Sequence, residues 1–510
     1  MRRISGMTTA LALALAASVA LAQQPQTLKG VVIKGKTPIN KEVLKVAMPK
    51  AYETELGNGL RVIVLENHKL PTFAMQMVVM SGGLSDPAGQ PGAAQYAAAM
   101  LREGTKTRSS RQIAEAVESL GATLNAGSGL SSPISQITAG GLIENFDQIM
   151  ELFADVILNP SFPADDLNKL KTRAAAQLRA QRSQPGFLAN EMFLKTMYGA
   201  HPASRAALTP AQLQGITPDT LKQFHAAHYR PSNAIFAIVG DVNQSEIVAK
   251  LEKTFGGQQG GAQPGAQHGS QHGSWTRGDV PRPDLPKVSE PGQSKIYLID
   301  RPGSEQTNLI LGNLSIERND PDYYALDVMN QVLGGGASAR LFLNLREDKG
   351  YTYGAYSGFS AAKYRGVFRA STEVQTKVTK DSMDELIYEF KRIRDEKTPD
   401  DEFDRAKRTI VGGFAMQLES PQSLLANIIT QKIYNLPADY WDAYPQKIAA
   451  VTADDVQRVA RKYLDLAKLQ IVAVGDAKQI ADMMKKFGGV ELYDTEGKLL
   501  QSPSAEAKTN

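Results

Sequence analysis

Residues 216–242, ITPDTLKQFHAAHYRPSNAIFAIVGDV, and residues 451–477, VTADDVQRVARKYLDLAKLQIVAVGDA, align without a gap at an offset of 235 residues. The alignment pairs Thr217 with Thr452 and ends on the same Gly-Asp dipeptide in both copies. Each stretch predicts a helix followed by a short apolar strand. A pattern that recurs at this distance indicates a duplicated domain.

The similarity continues upstream of these two stretches. At an offset of 236, the residues Pro163, Asp165, Leu167 and Lys171 pair with Pro399, Asp401, Phe403 and Lys407. Both copies begin with alternating strand patterns, at Leu60–Leu65 and Phe73–Met80 in the first and at Ser294–Ile299 and Thr307–Leu314 in the second. Helices and further strands follow in each copy. This order predicts two homologous α+β domains, each a mainly antiparallel sheet with helices on one face.

The boundaries between the predicted parts follow from composition. Residues 256–293 are rich in Gly, Gln and Pro and lack hydrophobic periodicity, so they predict a flexible linker. His268 and His272 lie in this stretch, where a solvated tether is favoured over a metal site. The domains therefore span 51–255 and 294–500, and a polar tail covers 501–510.

The first residues resemble an export signal. Arg2 and Arg3 precede an apolar run, and Ala20-Leu21-Ala22 supplies small residues before Gln23. This layout predicts a signal peptide over 1–22, an N-terminal arm over 23–50 and an exported protein, periplasmic or secreted. No later stretch reaches the ~20 apolar residues that a membrane-spanning helix needs.

Composition excludes several classes of protein. The chain has no cysteine, so neither disulfides nor thiolate metal sites are available. Its 510 residues, 42% of them apolar, are enough to bury a large core. The formal net charge is +4, and no basic patch with aromatic residues or phosphate-binding loop indicates nucleic-acid binding.

Residues 85–107, SDPAGQPGAAQYAAAMLREGTKT, combine a turn, an Ala-rich helix and a Gly stop. This segment resembles the zinc helix of the pitrilysin/insulinase family of inverzincin peptidases, which has a His-x-x-Glu-His motif. The motif positions are Gln95, Ala98 and Ala99 here. The family's third ligand, a Glu on a later helix, matches Ala176 or Gln177. Alanine has no donor atom and a neutral amide is a poor zinc ligand, so we expect no metal at this degenerate site.

The second copy keeps another part of the family pattern. In VLGGGASARLFLNLREDKGYTYGAYSGFS, residues 332–360, Arg346 and Tyr353 stand at the family's seven-residue spacing. The resemblance implies that this pair holds the substrate backbone, and the developing oxyanion, opposite the zinc. The alternative is structural: Arg346 forms an ion pair at a helix end and Tyr353 packs.

Two further patterns have a functional and a structural interpretation. The stretch ATLNAGSG, 122–129, resembles the family's strand beside the zinc, and it places Asn125 and Ala126 at an edge where a peptide substrate adds through its main chain. An ordinary sheet edge is equally compatible. His225 and His228 are three residues apart, but the resemblance places them on an ordinary helix without a third ligand. His68 and His201 stand alone.

Together the resemblance implies a non-catalytic subunit with no cofactor of its own. It would pair with a homologous zinc-bearing peptidase subunit, supply Arg346 and Tyr353 in trans and act on short unfolded peptides. One alternative is a scaffold or peptide-binding protein derived from the same family. Another is a self-sufficient hydrolase, for which the chain offers neither a G-x-S-x-G elbow nor a cysteine nucleophile.

Overall fold

A computed structural model describes residues 45–256 and 275–502 of the chain. The predicted signal peptide, most of the predicted N-terminal arm, His268, His272 and the last eight residues lie outside these ranges. Within them, no helix is long and apolar enough to cross a membrane.

The first half contains one sheet and eight α-helices among its described residues. Its strands are β1 (Tyr52–Glu55), β2 (Arg61–Glu66), β3 (Thr72–Val79), β4 (Thr123–Ser128), β5 (Ser135–Leu142) and β6 (Ala234–Gly240). Its helices are α1 (Ala93–Met100), α2 (Ser110–Ser119), α3 (Phe146–Leu158), α4 (Ala164–Arg182), α5 (Pro185–Tyr198), α6 (Pro210–Gly215), α7 (Pro218–His228) and α8 (Gln244–Phe255).

The second half repeats this order. Its strands are β7 (Lys295–Asp300), β8 (Gln306–Leu314), β9 (Thr352–Phe359), β10 (Val367–Gln375), β11 (Gln470–Gly475), β12 (Val490–Tyr493) and β13 (Leu499–Gln501). Its helices are α9 (Tyr323–Leu333), α10 (Arg340–Phe342), α11 (Thr379–Asp395), α12 (Asp400–Gln417), α13 (Pro421–Ile433), α14 (Tyr440–Ala450), α15 (Ala453–Tyr463) and α16 (Ala477–Met484). A π-helix over Leu343–Asp348 continues directly from α10.

The two sheets share a core of five strands with the same order and pairing, and they differ in the strands added beside β2 and β7. The strand order is β1-β2-β6-β3-β5-β4 in the first sheet and β13-β12-β7-β11-β8-β10-β9 in the second. In this shared core, β2 pairs in parallel with β6, and β7 pairs in parallel with β11. The other pairs of core strands are antiparallel. The predicted class, two homologous α+β domains with mainly antiparallel sheets, is confirmed.

The duplication also preserves local interactions. Thr217 and Thr452 cap α7 and α15, and each side chain accepts a hydrogen bond from a backbone amide three residues ahead. Lys171 donates from Nζ to the carbonyl of Gln214, and its repeat equivalent Lys407 donates to the carbonyls of Ala449 and Val451. In each half, a lysine therefore satisfies carbonyls near the end of a neighbouring helix, where a cation is favoured.

Each sheet is covered on both faces. The sequence predicts helices on one face, and in the first half α1, α3 and α7 contribute to that core. The other face of the first sheet packs against Leu424, Ile428 and Ile429 of α13, which belongs to the second half.

A helix of the first half, α5, covers one face of the second sheet. Leu188, Met192 and Phe193 of α5 pack on Ile310 and Val472 of the second sheet. Central strands β6 and β11 are buried along their whole length, which explains why their sequences are continuous apolar runs.

The described part of the predicted linker, residues 275–293, is called the connecting segment below, and its beginning contacts the first half. The Trp275 side chain is buried, and its Nε1 donates a hydrogen bond of 2.8 Å to the carbonyl of Tyr229. Two residues later, Arg277 forms an ion pair with Glu55 of β1. This part of the predicted linker is therefore fixed to the first domain by specific contacts.

Candidate functional site

The residue that caps the N-terminus of helix α1, Gly92, has a backbone conformation that favours glycine. Gly92 has φ of 92°, and a Cβ placed there would lie 2.7 Å from Leu208 Cδ1. The Asp86 carboxylate accepts hydrogen bonds from the amides of Gly92 at 2.6 Å and Ala94 at 2.8 Å. Burial raises the pKa of Asp86 to about 6, although these two hydrogen bonds and Arg205 oppose the rise.

The alanines of α1 allow close packing. Ala94, Ala97 and Ala98 are fully buried, and α1 contacts α7 and strands β4 and β5. Gln95 and Ala99, four residues apart on one helical face, are only partly buried. The helix is thus built as a packing element whose accessible face carries an amide and a methyl group.

This set of side chains does not fit zinc. Ala98 and Ala99 have no donor atom, and Ala176 and Gln177 are exposed on α4, about one turn beyond Arg173, whose Nη2 lies 3.9 Å from Glu103 Oε1. Structural and catalytic zinc sites need three or four His, Cys or carboxylate ligands. In the two described ranges, no three such residues are grouped as metal ligands.

Strand β4 lies beside α1 at the edge of the first sheet. Its partner is β5, and no described strand pairs with its outer side. Asn125 is exposed and Ala126 partly buried. Arg102, just after α1, donates from Nη1 to the carbonyl of Leu124 at 2.7 Å. A free edge of this kind can take an additional strand through main-chain hydrogen bonds.

Arg346 and Tyr353 are brought together at the equivalent edge of the second sheet. Arg346 belongs to the π-helix, a rare conformation that often occurs at functional sites. Its Nη1 donates a hydrogen bond of 2.9 Å to the main-chain carbonyl of Tyr353 on β9. The guanidinium also lies over the ring of Phe342, 4.8 Å from its centroid, and its Nε is 3.3 Å from Glu347 Oε1.

The side chains of this pair face solvent. Tyr353 is 87% exposed and therefore does not pack against the domain. The Arg346 side chain is 45% exposed. Tyr356, also on β9, is partly exposed and its ring contacts Phe342 at 5.6 Å between centroids. The π-helix and edge strand β9 thus present a guanidinium and the phenol of Tyr353 to an external ligand.

The histidines have structural contacts. His225 is bonded through Nε2 to the carbonyl of Ile157 at 2.8 Å, and burial lowers its pKa to about 4. His228 is bonded through Nδ1 to Ser81 Oγ at 3.0 Å, and burial lowers its pKa as well. The two rings serve different partners, so their three-residue spacing brings no metal pair together.

His201 and His68 also have partners within the protein. His201 is buried, and its Nδ1 accepts a hydrogen bond from the amide of Ala203. His68 is bonded through Nδ1 to Asp241 Oδ1 at 2.6 Å on the surface.

Sequence reasoning missed Asp86 and Arg102. Asp86 precedes a proline in the turn before α1, a position typical of a side chain that bonds nearby backbone amides. Arg102 follows α1 by two residues. Only the packing of α1 beside β4 shows that its guanidinium reaches the strand.

Two family descriptions match this chain in succession. "Insulinase (Peptidase family M16)" matches residues 61–211, and "Peptidase M16 inactive domain" matches residues 215–410. The chain belongs to the M16 family. This M16 chain therefore joins a peptidase-type first half to a domain of the type described as inactive.

Curated relatives match most of this M16 chain. It is 26% identical over 418 residues to an uncharacterized zinc protease of Streptomyces coelicolor, which covers 81% of this chain and 86% of the relative. The uncharacterized zinc protease YmxG of Bacillus subtilis is 24% identical over 419 residues, covering 81% of this chain and 95% of YmxG.

Solved structures share the M16 fold. A peptidase M16 inactive domain from Pseudomonas fluorescens is 29% identical with a TM-score of 0.74, covering 84% of this chain and 98% of the other. A protease from Helicobacter pylori has a TM-score of 0.75 at 21% identity and covers 84% of this chain and 100% of the other, which shows likeness of fold alone.

Proposed function

We propose that this M16 chain is the zinc-free, substrate-binding subunit of an exported heterodimeric metallopeptidase. The observation that carries the proposal is the contrast between its two halves. The first half has Gln95, Ala98 and Ala99 on the helix that would hold zinc. The second half instead presents Arg346 on a π-helix and the exposed Tyr353 on edge strand β9. The zinc then belongs to a homologous partner subunit.

Arg346 and Tyr353 supply donors suited to a developing oxyanion. A guanidinium and a phenol donate hydrogen bonds, and such donors are effective when they are fixed before the charge develops. The hydrogen bond from Arg346 to the Tyr353 carbonyl fixes the backbone from which the phenol projects. In this proposal the two residues act in trans on a peptide held at the zinc of the partner subunit.

The free edge of β4 supports binding of extended peptides. Asn125 and Ala126 lie on this edge beside α1, and main-chain pairing there does not require a metal. Backbone recognition of this kind suits short unfolded peptides, because a folded protein has few unpaired main-chain groups to offer.

The test is hydrolysis of a quenched fluorescent peptide by this chain, by a zinc-bearing homologue and by their mixture. We expect peptide hydrolysis only in the mixture. Arg346→Ala should reduce this activity about 100-fold or more, because loss of one oxyanion donor typically has an effect of that size. A chelator should abolish activity of the mixture and leave the melting temperature of this chain unchanged. Tyr356→Phe, on the same strand, is the matched control and should retain activity.

Two results would overturn the proposal. Equal activity of the homologue with and without this chain would favour a scaffold or peptide-binding protein. Hydrolysis by this chain alone, lost in neither Arg346→Ala nor Tyr353→Phe, would point to a self-sufficient site elsewhere.

A further inference from the structure

A cavity of 1120 Å³ lies between the two halves, and none of its lining residues belongs to the edge strands β4 and β9. Its walls include the start of β2, residues 278–288 of the connecting segment, the turn between β9 and β10, and the end of α13. A water molecule occupies about 30 Å³ of the liquid, so the cavity has room for a hydrated small molecule.

The charged side chains that line this cavity are mostly basic. Two carboxylates, Asp279 and Glu317, line it. The six basic side chains in its lining are Arg61, Arg282, Lys287, Lys363, Arg365 and Lys432.

Most of these cations have no partner of opposite charge. Lys432 forms an ion pair with Glu53 at 2.6 Å, and Arg365 forms one with Glu290. The other four form no ion pair with any residue in 45–256 or 275–502. Four unpaired cations thus share one cavity with two carboxylates.

Desolvation and neighbouring arginines in the cavity affect the pKa of Lys363. Lys363 lies in the turn between β9 and β10 and its side chain reaches solvent. Its pKa is lowered, first by partial desolvation within the cavity and then by the positive charges of Arg282 and Arg61. Three cations from three different segments therefore produce a positive potential at one place, and an anion bound there would relieve their repulsion.

We propose that this cavity binds a small multivalent oxyanion of the phosphate class. Arg61 and Arg282 offer planar guanidinium donors that match phosphate oxygens, and Lys363 adds a mobile point charge. Because these side chains come from the first half, the connecting segment and the second half, the bound anion joins all three. The site is independent of Arg346 and Tyr353, neither of which lines it.

Calorimetric titration of the full chain with pyrophosphate at constant ionic strength tests the proposal. Arg282→Gln and Lys363→Gln change exposed side chains, so both variants should fold, and each should weaken binding about tenfold or more, as for loss of one charge-assisted contact. Arg179→Gln is the matched control. Arg179 is an exposed arginine of α4 outside the cavity that forms no ion pair within the described ranges, and this variant should bind like the wild type.

A second measurement follows Lys363 itself. The lysines are dimethylated with carbon-13 formaldehyde, and the NMR resonance of Lys363 is assigned from its absence in Lys363→Gln. Pyrophosphate should raise the pKa that this resonance reports for the Lys363 amine. Absence of binding, equal binding by all variants or an unchanged Lys363 pKa would each overturn the proposal.

Discussion

Arg346 holds the main-chain carbonyl of Tyr353 through a hydrogen bond of 2.9 Å from Nη1, while the phenol of Tyr353 remains 87% exposed. The two residues are seven apart in sequence and lie on different elements, a π-helix and edge strand β9. One side chain therefore positions the backbone of the other, and the two are expected to act as a coupled pair.

This coupling predicts non-additive kinetics. Arg346→Ala removes a donor and also releases Tyr353, whereas Tyr353→Phe removes only the hydroxyl. The double variant should therefore lose less kcat/KM in the mixed peptidase assay than the product of the two single losses. A double-mutant cycle on kcat/KM measures the coupling. Strictly multiplicative losses would show that Arg346 does not position Tyr353.

Because α5 of the first half packs on the second sheet and α13 of the second half packs on the first sheet, we expect the two halves to unfold together. Phe193 of α5 is fully buried against the second sheet, where its Cζ lies 2.6 Å from the place that a Cβ on Gly312 would occupy. Phe193→Ala should lower the free energy of unfolding by about 3–5 kcal/mol. Met416→Ala, at a residue that is 75% exposed, should change it little.

Hydrogen exchange on Phe193→Ala distinguishes cooperative from independent unfolding. Amides of β8 and β11 should lose protection together with those of the first half, in a single denaturant transition. Protection lost in the first half alone would mean that α5 does not couple the halves.

The repeated lysines predict equal effects at equivalent positions. Burial lowers the pKa of both Lys171 and Lys407, and each donates to main-chain carbonyls. Lys171→Met and Lys407→Met leave those carbonyls without this donor, so each should cost about 1–3 kcal/mol in urea unfolding. Lys169→Met, on the exposed face of α4, is the control. A loss at one lysine only would show that the duplication has not preserved the interaction's role.

The partly buried His225 predicts that acid destabilises the folded protein. Its pKa is about 4 in the folded protein and 6.5 ordinarily, because burial opposes the charged form. As the pH falls from 6.5 towards 4, the unfolded chain takes up a proton that the folded chain does not, so stability falls by up to about 3 kcal/mol. Asp86 acts in the opposite sense, since its pKa is raised to about 6 and the folded protein holds its proton more tightly.

A variant comparison separates the two groups. His225→Gln retains an amide donor for the Ile157 carbonyl but cannot titrate, so its free energy of unfolding should vary less between pH 7 and pH 4.5 than that of the wild type. His68→Gln removes an exposed imidazole whose pKa is raised by its hydrogen bond to Asp241, so this variant should change the profile in the opposite sense. Parallel pH profiles for wild type and His225→Gln would contradict the assignment.

The predicted strands match the observed ones closely. Phe73–Met80 corresponds to Thr72–Val79, and Thr307–Leu314 to Gln306–Leu314. Such strands either alternate apolar and polar residues or form continuous apolar runs, and they are shorter than most helices. The local sequence pattern is therefore sufficient to predict them. The capping threonines Thr217 and Thr452 fix helix starts in the same local way.

The candidate site was only partly predictable. The identity of Ala98 and Ala99 excludes a zinc ligand set whatever the fold, because the atoms are missing. The exposure of Tyr353 and the hydrogen bond from Arg346 to its carbonyl depend on how the π-helix meets β9, which no spacing in the sequence specifies.

The sequence by itself determined the duplication, the order of elements in each half, the family resemblance and the loss of metal-ligand atoms on α1, since these depend on residue identity and short-range periodicity. Only the tertiary structure decided that α5 covers the second sheet and α13 the first, and that Arg61, Arg282 and Lys363 share one cavity. An apolar helix face shows that it must be buried, but which surface covers it is settled by packing between residues that are far apart in the chain.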